Sequence, residues 1–170
     1  MLSDNIAYIF KRFQKNGDML VYLHSKPELF SELLDACLDT VHPQAWRATM
    51  LLGHAMEKND DRVIPYIDKL IECLPNIKHD GHQRQILIVL DKLSLNEDQN
   101  GHLFNHCLSF WEQVHKIPST RIRALQAMLK ITKYFPELKQ ELLLFTTAYY
   151  SKTLTPGIKV SFDRMVSKFL

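Results

Sequence analysis

The sequence predicts an all-helical chain of about ten helices in antiparallel hairpins, and three observations support this. Only 5 of the 170 residues are glycine, and the alternation of apolar and polar residues that marks strands is hard to find. Prolines and capping residues recur at short intervals before segments with helical apolar periodicity. Four of these segments also resemble one another at a nearly constant spacing, which is typical of a repeat array.

Helix-start signals set the order of the elements. A proline is tolerated in the first helical turn because its missing N–H has no intrahelical partner there, and four segments open in this way, at Pro27, Pro43, Pro136 and Pro156. Asp, Ser or Thr side chains that can cap a helix precede two others, at Asp60–Asp61 and Ser119–Thr120. The predicted helices cover 5–15, 18–25, 27–39, 43–57, 61–74, 81–93, 98–116, 119–134, 136–151 and 156–169. The run Ile86–Leu90 alone would also fit a buried strand, but its neighbours favour a helix.

A basic residue early in a helix, followed by an apolar stretch, marks the second helix of each predicted hairpin. These residues are Arg47, Arg84, Arg123 and Lys159, and the spacings between them are 37, 39 and 36 residues. A helical hairpin cannot bury its apolar face alone, so a repeat of this length predicts hairpins that stack on one another.

The first helices of three hairpins share a Cys-Leu pair, at Cys37, Cys73 and Cys107. Because the same pair recurs in three predicted helices, we interpret each cysteine as a small residue buried between packed helices. The alternative of a nucleophilic or redox-active cysteine needs a positioned base, which the sequence does not offer. Helices 5–15 and 18–25 lack the basic residue, so we expect a single domain over 1–170 with an N-terminal cap at 1–26 and four hairpins at 27–170.

The second helices resemble those of HEAT repeats, and Pro65 resembles the proline that kinks a HEAT first helix. The resemblance covers about residues 27–170 and implies a right-handed α-α superhelix, armadillo-like in class, whose second helices line the concave side. HEAT repeats usually place an Asp about six residues before the basic residue, forming a ladder between repeats. The corresponding positions here are Val41, Lys78, Ile117 and Thr153, so the ladder is absent or rebuilt.

Two stretches, Met56–Lys58 and Tyr134–Lys139, are similar to short HEAT-like proteins of Bacteroidetes. Some of those proteins carry the label adenylosuccinate lyase. The Ser/Met/Lys-rich signature loop of the lyase family has no counterpart in this chain, so the sequence predicts no enzyme.

Two histidine pairs could supply metal ligands. His102 and His106 stand four residues apart on one predicted helix, and His79 and His82 form a second, looser pair. Neither pair has two further ligands at a fixed spacing, so we expect scattered polar histidines, with no metal and no cofactor.

Charge is more informative by helix than in total. The net charge is only +2, which excludes a strongly basic nucleic-acid-binding chain. The first helices sum to −10 and the second helices to +6. Trp and Arg are enriched at interfaces, so Trp46 and Arg47 belong to the surface that this charge pattern indicates. The candidate binding surface comprises Trp46, Arg47, Arg84, Arg121, Arg123, Lys130, Lys133, Lys159, Arg164 and Lys168.

The predicted function is a non-catalytic scaffold that binds another protein along this concave surface. The alternative partner is a nucleic-acid backbone, with phosphates on Arg121, Arg123, Lys130 and Lys159. No apolar run is long enough to span a bilayer, and three widely spaced cysteines do not make a disulfide framework. We therefore expect a cytoplasmic protein without a membrane segment, whose partner and oligomeric state the sequence does not indicate.

Overall fold

The structure, a computed structural model, describes residues 2–169, and helices are the only regular secondary structure in that range. They form two compact units, Met1–Leu95 and Asn96–Leu170. The N-terminal unit contains α1 (Asp4–Arg12), α2 (Asn16–Ser25), α3 (Leu29–Cys37), α4 (Ala45–Ala55), α5 (Ile67–Cys73) and α6 (Asp80–Asp91). The C-terminal unit contains α7 (Glu97–Glu112), α8 (Pro118–Ile131), α9 (Leu138–Leu144), α10 (Ala148–Ser151) and α11 (Pro156–Phe169). The prediction of an all-α fold is confirmed, and the helical structure agrees with the predicted fold class of an α-α superhelix.

The N-terminal unit is built around α4, which packs against α2, α3 and α6. Apolar residues at helical spacing form its core, and Leu33, Leu52 and Ile86 are fully buried. The predicted cap helices exist as α1 and α2, and α1 packs on α3. The guanidinium of Arg47 lies over the ring of Phe10, 4.7 Å from its centroid, and so joins α4 to α1.

The single helix predicted over 61–74 is wrong in extent. The chain makes a 3₁₀ turn at Ile64–Tyr66, then α5, then a second 3₁₀ turn at Leu74–Asn76. Each 3₁₀ turn carries a proline, Pro65 or Pro75, which lacks the N–H that an uninterrupted α-helix requires. Two prolines ten residues apart therefore leave room for only two turns of α-helix between them.

The loop between α4 and α5 is tied to the end of α6. Asn59 adopts a left-handed backbone conformation with φ of 54°, which asparagine tolerates better than most residues. Its Oδ1 accepts a hydrogen bond from the backbone N–H of Ser94 at 2.7 Å, and its own N–H donates to the carbonyl of Lys92 at 3.0 Å. The ammonium of Lys92 in turn donates to the carbonyl of Gly53 at 2.6 Å. These bonds fix the C-terminal ends of α4 and α6 side by side.

In the C-terminal unit, α8 packs against both α7 and α11. Trp111 of α7 is fully buried, and its indole ring stacks on Phe162 of α11 with the centroids 5.6 Å apart. Leu103, Cys107 and Trp111 follow one another at steps of four residues, a spacing that indicates one helix face, and all three are buried.

The helix predicted over 136–151 is two helices, α9 and α10, separated at Phe145–Thr147. The indole N–H of Trp111 donates to the carbonyl of Phe145 at 2.8 Å, and the hydroxyl of Thr146 donates to the carbonyl of Leu143 at 2.8 Å. These side chains take carbonyls that a continuous helix would need for its own N–H groups, so the helix ends there.

All three cysteines are free thiols in the interior, Cys37 and Cys73 in the N-terminal unit and Cys107 in the C-terminal unit. Burial raises the pKa of Cys37 and of Cys73 to about 12, and it raises the pKa of Cys107 further. The thiols are therefore protonated near neutral pH, which fits the packing role that the sequence predicted.

Candidate binding surface

Three residues of the predicted surface lie in the N-terminal unit, and none is fully exposed. Trp46 and Arg47 are half-buried in the first turn of α4, and Arg84 is half-buried on α6. The indole of Trp46 lies 6.3 Å from the imidazole of His79 with only 17° between the ring planes. The Arg47 guanidinium is already engaged with Phe10. Trp46 therefore keeps part of a ring face for a ligand, whereas Arg47 contributes to packing.

The prediction that Arg121 lies on the binding surface is wrong, because its side chain is completely buried. Its guanidinium donates to the carbonyl of Trp111 at 3.0 Å, to the carbonyl of Tyr150 at 2.7 Å and to the hydroxyl of Thr153 at 2.8 Å. It also lies over the indole of Trp111, 4.6 Å from the ring centroid. Five donors in a planar fork suit this set of acceptors, and burial of the charge lowers the pKa of Arg121.

The contacts of Arg121 join two hairpins of the C-terminal unit. Thr153 stands at the position where the repeat pattern would place an aspartate, and its hydroxyl accepts from Arg121 in the preceding hairpin. The carbonyls of Trp111 and Tyr150 lie in the last turns of α7 and α10, where helix C-termini carry partial negative charge. The link between hairpins therefore uses neutral acceptors and helix ends to hold the buried cation.

Six other residues of the predicted surface belong to the C-terminal unit. Arg123 is half-buried, and five are exposed, namely Lys130, Lys133, Lys159, Arg164 and Lys168. The ammonium of Lys159 is 3.1 Å from the carboxylate of Asp163, one helical turn further along α11. This exposed pair partly neutralises Lys159, so it contributes less positive potential than the sequence count suggests.

Several of these cations gather at one end of the unit. The ammonium of Lys139, near the start of α9, lies 5.2 Å from the ring of Phe169 at the end of α11. This contact brings the end of α11, whose last turns carry Arg164 and Lys168, to the start of α9, and Lys133 lies in the short segment that joins α8 to α9. We call Lys133, Lys139, Arg164 and Lys168 the basic cluster. Among the described residues, Lys133, Arg164 and Lys168 have no carboxylate within ion-pair distance.

Two residues at this end were not predicted from the sequence. Lys139 was counted with the acidic first helices, because helix spacing does not show that α11 ends beside it. Tyr134 follows Lys133 directly and is 72 % exposed. An exposed tyrosine directly after a lysine offers both an aromatic ring and a hydroxyl, a combination that interfaces commonly use. In the sequence, the segment Tyr134–Lys139 was notable only for its similarity to short HEAT-like proteins, which did not indicate a binding surface.

The histidine pairs do not form a metal site in the structure. His102 is exposed and His106 half-buried, and burial together with the charge of His102 lowers the pKa of His106. Within residues 2–169, no three His, Cys, Asp or Glu side chains are placed to hold a metal ion. In the same range, no helix combines the length and apolar character needed to cross a membrane.

The comparison with known families matches this architecture. The sequence fits the family model described as HEAT repeat domain over residues 11–169, which is nearly the whole chain. No curated protein and no solved structure shows significant similarity to it. A match of this extent, on a chain of stacked helical hairpins, shows that the protein belongs to the HEAT repeat family.

Proposed function

We propose that this protein is a non-catalytic scaffold that binds an acidic segment of another protein. The observation that carries the proposal is membership of the HEAT repeat family, whose repeats generally serve as protein-interaction scaffolds. Repeat arrays of this kind present an extended surface and need no buried reactive centre. The protonated, buried cysteines support a non-catalytic role for these thiols.

The basic cluster is the surface that best fits such a partner. The C-terminal unit carries ten Lys and Arg residues against six Asp and Glu residues, a net +4, whereas the N-terminal unit carries a net −2. One of the ten cations is the buried Arg121, and Lys159 is paired with Asp163. Of the other eight cations, Lys133, Lys139, Arg164 and Lys168 form the basic cluster, and the exposed Tyr134 follows Lys133 directly in the chain.

The structure weakens the nucleic-acid alternative. Of the four predicted phosphate contacts, Arg121 is buried and Lys159 is paired with Asp163. Affinity for a nucleic-acid backbone grows with the number of phosphates neutralised, so the loss of these two contacts lowers the affinity expected from the sequence. A protein segment with a few carboxylates and an apolar residue for Tyr134 matches the cluster more closely. The proposal retains the cytoplasm as the compartment, because the three cysteines are buried thiols.

Direct binding to defined probes tests the proposal. The probes are a fluorescent Glu-rich peptide of about 12 residues with one central Leu, and a 20-base-pair DNA duplex of equal label. We expect saturable binding of the peptide at about 50 mM salt, weakening as salt rises because exposed charges are screened. The triple variant K133E/R164E/K168E should lose this binding. The matched variant K11E/K15E/K58E, which changes the net charge equally at exposed positions of the N-terminal unit, should keep it.

Two results would contradict the proposal. One is duplex binding that is tighter than peptide binding and is lost in the triple variant, which would support the nucleic-acid alternative. The other is equal weakening of peptide binding by both triple variants, which would show that only net charge matters. Circular dichroism of each variant confirms that it retains the helical fold.

A further inference from the structure

A cavity of about 140 Å³ lies within the N-terminal unit, between the turn that joins α3 to α4 and the loop that leads into α6. The residues that matter in its lining are His42, Pro43, Trp46, Lys78, His79 and His82. An apolar protein cavity of about 150 Å³ accommodates benzene, so this cavity has room for a single-ring ligand. Pro43, Lys78 and His79 are exposed, which leaves the cavity open to solvent.

Aromatic rings form part of its wall. The indole of Trp46 and the imidazole of His79 are nearly parallel, with 17° between their planes and 6.3 Å between their centroids. Trp46 is only half-buried, so part of its indole ring is accessible to a ligand. A planar group can stack against such faces with an offset geometry, which adds to the gain from burying its apolar area.

Hydrogen bonds fix the proton positions on two of the histidines. The Nδ1 atom of His42 accepts from the backbone N–H of Gln44 at 3.1 Å, and the Nδ1 atom of His79 accepts from the backbone N–H of His82 at 3.1 Å. A ring nitrogen that accepts carries no proton, so in both neutral rings the proton is on Nε2. His42 and His79 therefore each offer an Nε2–H donor to the cavity region.

His82 has the same tautomer. Its Nε2 lies 3.0 Å from the carbonyl of Cys37, which can only accept, so Nε2 carries the proton and Nδ1 is an acceptor. The residue is 2 % exposed, and it is one of the residues that line the cavity. Its Nδ1 can therefore accept a hydrogen bond from a ligand donor.

The charge of the lining favours an anion. Lys78 is the one charged residue among those that line the cavity, and none of the lining residues is acidic. The nearby carboxylate of Asp39 is already engaged by the backbone N–H groups of Val41 and His42, at 3.0 and 2.8 Å. The lining therefore includes three residues that can donate to a ligand oxygen, His42, Lys78 and His79, and no carboxylate.

We propose that this cavity binds a small planar carboxylate, a single-ring acid whose ring stacks on Trp46 and whose carboxylate pairs with Lys78. A ring hydroxyl or N–H on the ligand would satisfy Nδ1 of His82. The site lies in the N-terminal unit and shares no residue with the basic cluster, so it stands or falls independently of the proposed protein-binding function.

Nuclear magnetic resonance of the full chain tests this site, with benzoate as the probe at pH 7.5 and constant ionic strength. The indole N–H signals of Trp46 and Trp111 are assigned from the spectrum of W46F. We expect benzoate to shift the Trp46 signal saturably while the Trp111 signal stays in place. Benzamide, which has the ring without the charge, and acetate, which has the charge without the ring, should each bind at least about tenfold more weakly.

Substitution of the cation separates a built site from non-specific attraction. K78Q should weaken benzoate about tenfold and leave benzamide unchanged, because only the charged ligand pairs with the ammonium. K58Q removes an exposed lysine of the same unit that does not line the cavity and should change neither. The proposal is overturned if the Trp46 signal does not shift saturably, if acetate or benzamide matches benzoate, or if K58Q weakens benzoate as much as K78Q.

Discussion

At the residue scale, Arg121 shows what a sequence pattern can and cannot specify. Arg121 lies near the start of α8, within the helix predicted over 119–134, but the sequence did not show that its side chain turns inward. The acceptors that hold it, at Trp111, Tyr150 and Thr153, are up to 32 residues away in sequence. Trp111 was predictable as core because its apolar neighbours recur at helical spacing on its own helix.

We expect R121M to destabilise the C-terminal unit by about 3 kcal/mol, because the substitution leaves three buried acceptors unpaired and forfeits the contact with Trp111. R123M, at a half-buried position of the same helix, should change stability by less than about 1 kcal/mol. Urea unfolding followed by Trp111 fluorescence, in a W46F background, measures both values. Equal stability of R121M and its parent would show that the buried guanidinium is dispensable.

His82 gives a second prediction, on pH. Burial lowers the pKa of His82 below its ordinary value of 6.5, although the hydrogen bond to Cys37 partly opposes this. The unfolded chain therefore takes up the proton first as pH falls, so the contribution of His82 to stability is present above pH 6.5 and is lost below it. We expect the free energy of unfolding of the N-terminal unit to fall as pH decreases from 6.5 towards 5.

The variant H82Q, whose side-chain amide N–H can still donate to the carbonyl of Cys37, should keep most of the stability at pH 7.5, and its stability should vary less with pH because it cannot take up a proton. H102Q, which changes an exposed histidine of the other unit, serves as the control. Denaturant titrations at several pH values measure the slopes. A slope for H82Q that equals that of the parent protein would assign the pH dependence to other groups.

At the element scale, local signals placed nearly every helix, and the failures share one cause. The prediction over 156–169 matches α11 in both bounds, because Pro156 opens the helix without losing an internal hydrogen bond. The segments 61–74 and 136–151 were overextended. In the first, prolines favour 3₁₀ turns, and in the second the carbonyl of Phe145 bonds to Trp111 from another helix. The helical spacing of apolar residues does not show where a side chain from another helix will bond to a backbone carbonyl and end the helix.

Helix α7 provides a test of capping as the cause of a helix boundary. The side chain of Asn96 accepts from the backbone N–H of Gln99 at 2.8 Å, and the side chain of Gln99 accepts from the backbone N–H of Asn96 at 3.0 Å. We expect N96A to destabilise the C-terminal unit by about 1 kcal/mol, since both bonds of this capping box depend on the same geometry. Urea unfolding measures the change, and N96D should recover most of it. A loss in N96A of less than about 0.3 kcal/mol would contradict the assigned role.

At the scale of the whole molecule, the repeat spacing was the strongest sequence signal and the family match agrees with it. The separation into Met1–Leu95 and Asn96–Leu170 could not be derived from that spacing, because no linker composition marks the boundary. The charge pattern was predicted in outline, with basic second helices in the C-terminal half. The proposed binding surface differs from the predicted one. Arg121 is buried and Lys159 is paired, whereas Lys139 is added because it contacts the end of α11.

The central claim, that the basic cluster recruits an acidic protein segment, is tested most directly by quantitative affinity capture from the native lysate. The parent protein, K133E/R164E/K168E and K11E/K15E/K58E serve as baits, and the lysate is treated with nuclease so that nucleic acid cannot bridge. We predict one or a few acidic proteins that the parent and the N-terminal variant recover equally and that K133E/R164E/K168E recovers at least about tenfold less, as expected when several charge pairs reverse. Equal recovery of the same proteins by all three baits would contradict the claim.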